Sequence, residues 1–492
     1  MTLGPCSKIA YRDRSRCTDM MRKICLTAII ALLACAVVMA EPTSRERAAQ
    51  PKERAPATAK KLAQVDAIAA AALEEQGFPG LAVVVMKGDD VLLARGYGVE
   101  ELERKTPVTE NTVFALNSIS KQFVAALVLR LVEEGKLSLD DPAARHLPEF
   151  TQLPPELKIR HLLSHTSGMR EEFVQPEMDA LFEKEGTTAA EYIAAARNSP
   201  CDWPPGSRWS YGNINYLMLT AVVERLTGEP LEKAVVERLI EPLGLKSIDL
   251  CVNPIGDVTG EARGYRVRDG ALSPQPPENI ALFRGQGGFC GNALDLARWT
   301  RALARGKVVS AHSYKLMTTR TRLTNGRTAE YGFAMDLGTH DGVPRQGHGG
   351  YGGGFAAQAA YYPNEQLTVV VLSNRFFAYP ENTERKIARC MLGRPEPVVR
   401  EVALPLEELQ RYAGSYDLGV HGWLVETKVR EGRLYFEVAT PRISLPLVHV
   451  GKHEFVSEGP AGYRLSFSQD GPGRKLSLVG MGMMTWYGIR RP

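Results

Sequence analysis

The sequence predicts an α/β fold, in which a sheet carries a helical insert, followed by a separate antiparallel β unit. Three observations carry this. The ordered part opens with a helical pattern and two strand patterns, its middle is mostly helical, and from Tyr412 onward it reads as short strands joined by hairpin turns.

The chain has 492 residues, enough for one large domain and at least one further element. With 44% apolar and 24% charged residues, 45 Gly and 31 Pro, the composition excludes collagen, coiled coil and wholesale disorder. Residues 1–40 hold six Lys or Arg and two Asp, which accounts for the whole net charge of +4. The remaining body is neutral, so nucleic acid is not an expected partner.

Within that leader, a basic flank ends at Arg22-Lys23, an apolar run extends from Ile24 to Ala40, and Val38-Met39-Ala40 precedes Glu41. This pattern reads as a signal peptide over 1–40 and predicts export to a bacterial periplasm or the medium. Two other readings of the leader stay open: an uncleaved membrane anchor, and attachment through a lipidated Cys35, since Leu32-Leu33-Ala34-Cys35 resembles a lipoprotein cleavage box. Residues 41–61 lack apolar periodicity and read as a flexible linker.

Order is expected from Leu62. Leu62, Val65, Ile68, Ala69 and Leu73 recur at helical spacing until Gly77-Phe78-Pro79-Gly80 stops the helix. A hairpin follows, Leu81 to Met86 and Val91 to Tyr97 around the turn Lys87-Gly88-Asp89-Asp90. Roughly 113–245 is the helical insert, and 281–379 returns to strands, with Gln366 to Asn374 as a buried one. The domain spans 62–393, and 394–411 reads as a linker from its Gly393-Arg394-Pro395-Glu396-Pro397 start. The β unit occupies 412–492, with turns at Glu431-Gly432 and Asp470-Gly471-Pro472-Gly473 and alternation through Trp423, Val425, Val429, Leu434, Phe436 and Val438. A structural lid and a ligand cup both fit that pattern.

Four cysteines fall in the leader, leaving Cys201, Cys251, Cys290 and Cys390 in the body. Their spacing allows three pairings or free thiols, and shows no zinc-type Cys-x-x-Cys. His161 and His165 stand four apart without the Glu of His-Glu-x-x-His, so they are read as structural and no metal is expected. Gly347, Gly349 and Gly352 spell a dinucleotide-type glycine pattern, but strand rather than helix follows, so no cofactor is expected.

The chemistry concentrates in Asn117-Ser118-Ile119-Ser120-Lys121, which enters a helix with an apolar face of Phe123, Val124, Leu127, Leu131 and Val132 and ends at Gly135. On an α-helix, Ser118 and Lys121 share one side a turn apart, so an amine can stand beside the hydroxyl it deprotonates. A serine at a helix start also places its N–H where negative charge is favoured. Two further motifs follow in order, Ser210-Tyr211-Gly212-Asn213 and Gly347-His348-Gly349-Gly350-Tyr351.

Together these resemble the Ser-x-x-Lys, Tyr-x-Asn and Lys-Thr-Gly elements of the serine β-lactamase and penicillin-binding-protein superfamily, closest to class C β-lactamases and their esterase and D-aminopeptidase relatives. The resemblance runs from 65 to 395, through His161-Leu162-Leu163-Ser164-His165-Thr166-Ser167-Gly168, Gly287-Gly288-Phe289, Asp295-Leu296-Ala297-Arg298-Trp299 and Val370-Val371-Leu372-Ser373-Asn374. It implies an antiparallel sheet flanked by helices with an all-helical insert, and a lipocalin-like C-terminal β-barrel. It also implies Ser118 as nucleophile, Lys121 with Tyr211 as general base and later acid, with a titration shared between them, and Asn213 holding the substrate amide or Lys121. The backbone N–H groups of Ser118 and Tyr351 would form the oxyanion hole, and Gly350 with its neighbouring glycines would leave the strand edge open to substrate. The expected substrate is a small ester or a D-amino-acid amide or peptide. β-Lactamase or D-Ala-D-Ala carboxypeptidase activity and a penicillin sensor acylated without turnover are the alternatives. His348 stands where β-lactamases carry a fixed Lys, and His is cationic only near or below neutrality, which weighs against the β-lactam reading.

Overall fold

The computed structural model describes residues 56–492 apart from 252–255, 257–258, 269, 277, 419–423, 440–442, 460–461, 469–474, 480–484 and 491–492. The leader, Trp423 and the turn at 470–473 lie outside the described residues.

Helix α1 (Pro56–Gln76) starts six residues before the expected Leu62. Proline pre-sets the dihedral of a first helical turn, and the Ala and Lys residues that follow are good helix formers. Lys61, placed in the linker by the sequence, donates instead to the Met391 carbonyl at 2.7 Å. Strands β1 (Gly80–Lys87) and β2 (Asp90–Gly98) form the expected hairpin around Gly88-Asp89. Later in the chain come β3 (Asp336–His340), β4 (Val343–Gly352), β5 (Phe355–Tyr362) and β6 (Leu367–Ser373). They assemble in the order β3-β4-β5-β6-β1-β2, antiparallel throughout.

Both faces of this sheet are covered, which is why β1, β5 and β6 are almost continuously apolar. Leu81, Val83, Val85, Val369 and Val371 pack with Val65 and Ala69 of α1 and Ile387 and Ala388 of α5 (Pro380–Leu392). The alternate residues, Ala82, Val84, Met86, Val370 and Leu372, join a larger core with α2 (Lys121–Glu133), α3 (Ile214–Thr227) and α4 (Ala293–Ala304). Alternation with period two thus divides each strand between two cores.

Two expectations change here. Residues 281–317 are mostly helical, as Ile280–Gly287, α4 and Ala311–Met317, with one short strand, Phe289–Gly291, between the first two, and the main sheet resumes beyond them. Asn292 accepts from the Asp295 N–H as the cap of α4, and Leu296, Trp299 and Leu303 are buried at helical spacing. Helix α2, expected to be amphipathic, is buried on every side from Lys121 to Leu129, because it is the central helix of the larger core. Gly135 ends it at φ +69°, as expected of a glycine stop.

The C-terminal strands β7 (Gly414–Asp417), β8 (Leu424–Arg430), β9 (Arg433–Val438), β10 (Ile443–Gly451), β11 (Glu454–Ser457), β12 (Arg464–Phe467), β13 (Lys475–Val479) and β14 (Thr485–Arg490) form a closed antiparallel barrel. Pairing of Tyr416 with Arg490 and Asp417 with Ile489 removes the free edges. Glu431 and Gly432 both take positive φ, so the two-residue hairpin there matches strand twist. Tyr416, Phe436, Phe455, Tyr463, Leu465 and Phe467 are buried together, so aromatic side chains fill the interior. The barrel core begins before Tyr412: the expected linker 394–411 contains a helix, Leu406–Gln410, whose Leu409 is buried in that cluster. Trp209, Tyr211 and Tyr379 of the preceding fold pack against the same cluster, so the barrel roofs the region of the Ser210-Tyr211 motif.

Of the cysteine pairings left open, the structure has Cys251–Cys290, while Cys201 and Cys390 carry no disulfide. Asp249–Leu250 pairs with Phe289–Gly291, and this register sets the two sulfurs side by side.

Candidate active site

Residues Asn117–Ser120 form a 3-10 turn, and α2 proper begins only at Lys121. In a 3-10 turn residues three apart eclipse, so Ser118 and Lys121 lie in line on one face. Lys121 Nζ donates to Ser118 Oγ at 3.0 Å, to Asn213 Oδ1 at 2.8 Å and to the Gln286 carbonyl at 2.6 Å. Asn117 is held at φ +49°, with its Nδ2 donating to the Gly352 carbonyl at 3.2 Å, so the turn is tied to the end of β4.

Lys121 is 0% exposed. Burial pulls its amine down to about 7, against the opposing pull of Glu171 and Glu172. An amine tuned to neutrality can accept a proton from a hydroxyl at working pH. The Tyr211 phenol is buried too, and burial pushes it far above its ordinary value, so it is held protonated. The charged groups that act on Lys121 are Glu171 and Glu172, which both favour its protonated form.

Neither glutamate was singled out from the sequence. Glu171 Oε2 accepts from the Asn213 N–H at 2.6 Å and Oε1 accepts from Asn213 Nδ2 at 3.0 Å. Burial raises Glu171 to about 7, and raises Glu172 well above the carboxylate range. The only signal in the sequence was an adjacent acidic pair just past the Ser164–Gly168 segment, which looks the same as a solvated one.

His348 is buried in β4, with Nδ1 against the Gly349 carbonyl at 2.6 Å and Nε2 against the Tyr331 hydroxyl at 2.8 Å. Since a carbonyl only accepts, Nδ1 carries the proton and Nε2 accepts from Tyr331. Burial lowers the ring to about 3, with Lys121 the next largest cause. His348 is thus a neutral structural link and cannot act as the carboxylate-gripping cation of a Lys-Thr-Gly motif. His165 is also buried; its ring stacks 4.3 Å from that of Tyr211, and Nδ1 accepts from the Gly212 N–H at 3.2 Å.

Gly350 does not leave the strand edge open. A Cβ there would lie 2.2 Å from the Leu116 carbonyl oxygen and 3.1 Å from Ser118 N, so the serine turn itself fills the space. Tyr351 follows on the same strand, and its hydroxyl donates to Glu381 at the start of α5.

Behind these residues Asp336 has both carboxylate oxygens buried without a hydrogen bond, and burial raises it to about 8 while Arg345 pulls it down. A folded-state value above the unfolded one means stability is full below about pH 4 and is lost as pH rises through 8. Asp336→Asn removes this dependence. Its unfolding free energy relative to wild type is expected to climb between pH 5 and pH 8, by an amount on the order of a few kcal/mol. Denaturant titrations at several pH values check this, and a difference that stays flat across that range refutes the assignment.

Residues 65–389 match the protein family described as Beta-lactamase. The chain belongs to that family. Esterase EstB of Burkholderia gladioli is 32% identical over 275 residues, covering 49% of this chain and 69% of that protein. A D-aminopeptidase of Brucella anthropi is 29% identical over 300 residues, 60% of this chain and 56% of its own length. The chain therefore spans little more than half of that relative. Among solved structures, the octameric penicillin-binding protein homologue from Pyrococcus abyssi aligns with TM-score 0.63 at 23% identity, over 87% of this chain and all of that one, which shows the fold. This β-lactamase-family chain is a serine hydrolase of that family, related to an esterase and to D-aminopeptidases.

Proposed function

We propose that this chain hydrolyses a small ester or a D-amino-acid amide through an acyl-enzyme at Ser118. The observation that carries the reading is the threefold placement of Lys121 Nζ. Asn213 Oδ1 and the Gln286 carbonyl can only accept, so a neutral amine gives them its two hydrogens and turns its lone pair to Ser118 Oγ. Ser118 Oγ bonds to the substrate carbonyl carbon while its proton passes to Lys121. The carbonyl oxygen becomes an oxyanion facing the backbone N–H groups of Ser118 and Tyr351. As the C–O or C–N bond breaks, the leaving group takes a proton from Lys121 by way of the Tyr211 phenol. Water then adds to the acyl group, the acid departs, and Ser118 recovers its proton.

Neutral His348 supports esters and amides over β-lactams, because no fixed cation stands at that position to pair with a β-lactam carboxylate. The aromatic roof over Tyr211 supports a small acyl group. Export is part of the proposal: the leader pattern and the Cys251–Cys290 bridge both fit an oxidising compartment.

The test is turnover by residues 41–492 on a p-nitrophenyl short-chain ester, a D-alanyl anilide and a chromogenic cephalosporin, with intact mass after each incubation. Ester or anilide turnover that exceeds cephalosporin turnover is expected. A persistent adduct on Ser118 without turnover would make the chain a sensor, and preferred cephalosporin hydrolysis would sink the substrate reading.

A further inference from the structure

The hydrogen bonds around Asn213 assign a task to a carboxylate that the family motifs do not contain. An Asn amide presents a donor group and an acceptor, and which of them faces Lys121 depends on what holds the other. Ionised Glu171 is acceptor-only, and it takes both the Asn213 N–H at 2.6 Å and Nδ2 at 3.0 Å. That leaves Oδ1 pointing at Lys121 Nζ, 2.8 Å away. We propose that Glu171 is a positioning residue for acylation, holding Asn213 so that its amide oxygen, and not its NH2 group, faces Lys121. This rests on the acyl-enzyme reading above.

The consequence is directional. With Oδ1 facing it, neutral Lys121 spends a hydrogen on Asn213 and keeps its lone pair for Ser118. With the amide reversed, Nδ2 would donate to Lys121 and draw the lone pair away from Ser118. The arrangement is held from several sides. Gln175 Nε2 donates to the Glu171 carbonyl at 3.3 Å, fixing the backbone that carries the carboxylate. The charged and titratable groups acting on Lys121 are Glu171 and Glu172, which favour its protonated form, while His165 and His348 are neutral and the rings of Tyr211 and Tyr216 lie 5.0 and 5.7 Å from Nζ. Glu172 in turn faces Glu171, Lys121, Gln286 and Tyr192.

Glu171→Gln keeps the volume but offers one acceptor and one donor, so Asn213 must reverse to satisfy it. It also removes a negative charge that favours the Lys121 ammonium. The readout is the rate at which a fluorophosphonate labels Ser118 as a function of pH. In that reaction Oγ–P forms, P–F breaks, fluoride leaves and the Ser118 proton passes to Lys121. The expected result is a rate about 100-fold lower, with the acid limb displaced to lower pH. The double variant Glu171→Gln/Asn213→Asp rebuilds the chain of bonds, since the introduced amide donates to one oxygen of the introduced carboxylate and the other oxygen accepts from Lys121. It should recover at least about tenfold, with the limb moved back up.

A Glu171→Gln protein that labels at the wild-type rate overturns the inference, as does a slower one whose limb does not move, which marks a merely structural role. No recovery in the double variant also overturns it. Should Glu171→Gln fail to fold, Glu171→Asp carries the test: charge is kept and reach shortened, so the limb should stay while the rate falls, and an unchanged rate refutes the proposal. Wild type whose Ser118 does not label at all would overturn the acyl-enzyme reading, whereas labelling that ignores Glu171 overturns this inference alone.

Discussion

Lys121→Met is expected to lose turnover by roughly 10^4-fold while gaining stability relative to wild type as pH falls from 10 to 7. Met fills nearly the same space without the charge. The folded-state value of about 7 lies below the ordinary 10.5, so the folded protein binds this proton more weakly than the unfolded chain does. The cost of burying the ammonium is therefore full below pH 7 and vanishes as pH rises towards 10.5. Ser118→Ala provides the contrast, with a comparable loss of turnover but no pH-dependent gain in stability. Calorimetry at pH 7 and pH 10 beside rate measurements separates the two. The wild-type rate should rise with pH through an inflection near 7, where Lys121 loses its proton. A rate independent of pH between 5 and 8, or equal stability responses in both variants, would remove Lys121 from the role of base.

Gly350→Ala should lower turnover about 100-fold and destabilise the fold by about 1–3 kcal/mol. The added methyl would meet the Leu116 carbonyl oxygen at 2.2 Å, a backbone atom that no rotamer change can move. β4 cannot retreat, because Gly350 is paired with Ala357 on β5. The turn carrying Ser118 has to shift instead, and a displacement of that order ruins the alignment of nucleophile and base. Gly338→Ala on neighbouring β3 is the control: a Cβ there meets nothing within 4 Å, so activity and melting temperature should stay near wild type. Comparable losses in both variants would mean that strand glycine itself, and not the close approach to Ser118, explains the effect.

Local pattern made much of this architecture legible. The hairpin β1–β2 follows from two apolar runs around Gly88-Asp89, and the β unit from alternation and paired turn residues. Ser118, Lys121, Tyr211 and Asn213 were found because their motifs occur in a fixed order, and Lys121 does bond to both Ser118 and Asn213. The boundaries at 62 and 412 were misplaced because Lys61 and Leu409 are ordered by partners far along the chain or in the barrel, which composition does not reveal.

Fold class, motif order and the pairing of a hydroxyl with an amine could be read from the chain alone, because periodicity and three-residue spacing are local properties. Which groups carry charge was settled by packing in three dimensions. His348 is neutral because burial strips it of water and the Lys121 amine opposes its cation, Lys121 is tuned to neutrality because α2 is buried on all sides, and Glu171 reaches Asn213 across a separation of 42 residues in sequence. Proton affinity depends on burial and on neighbours brought together through space, and spacing along the chain encodes neither.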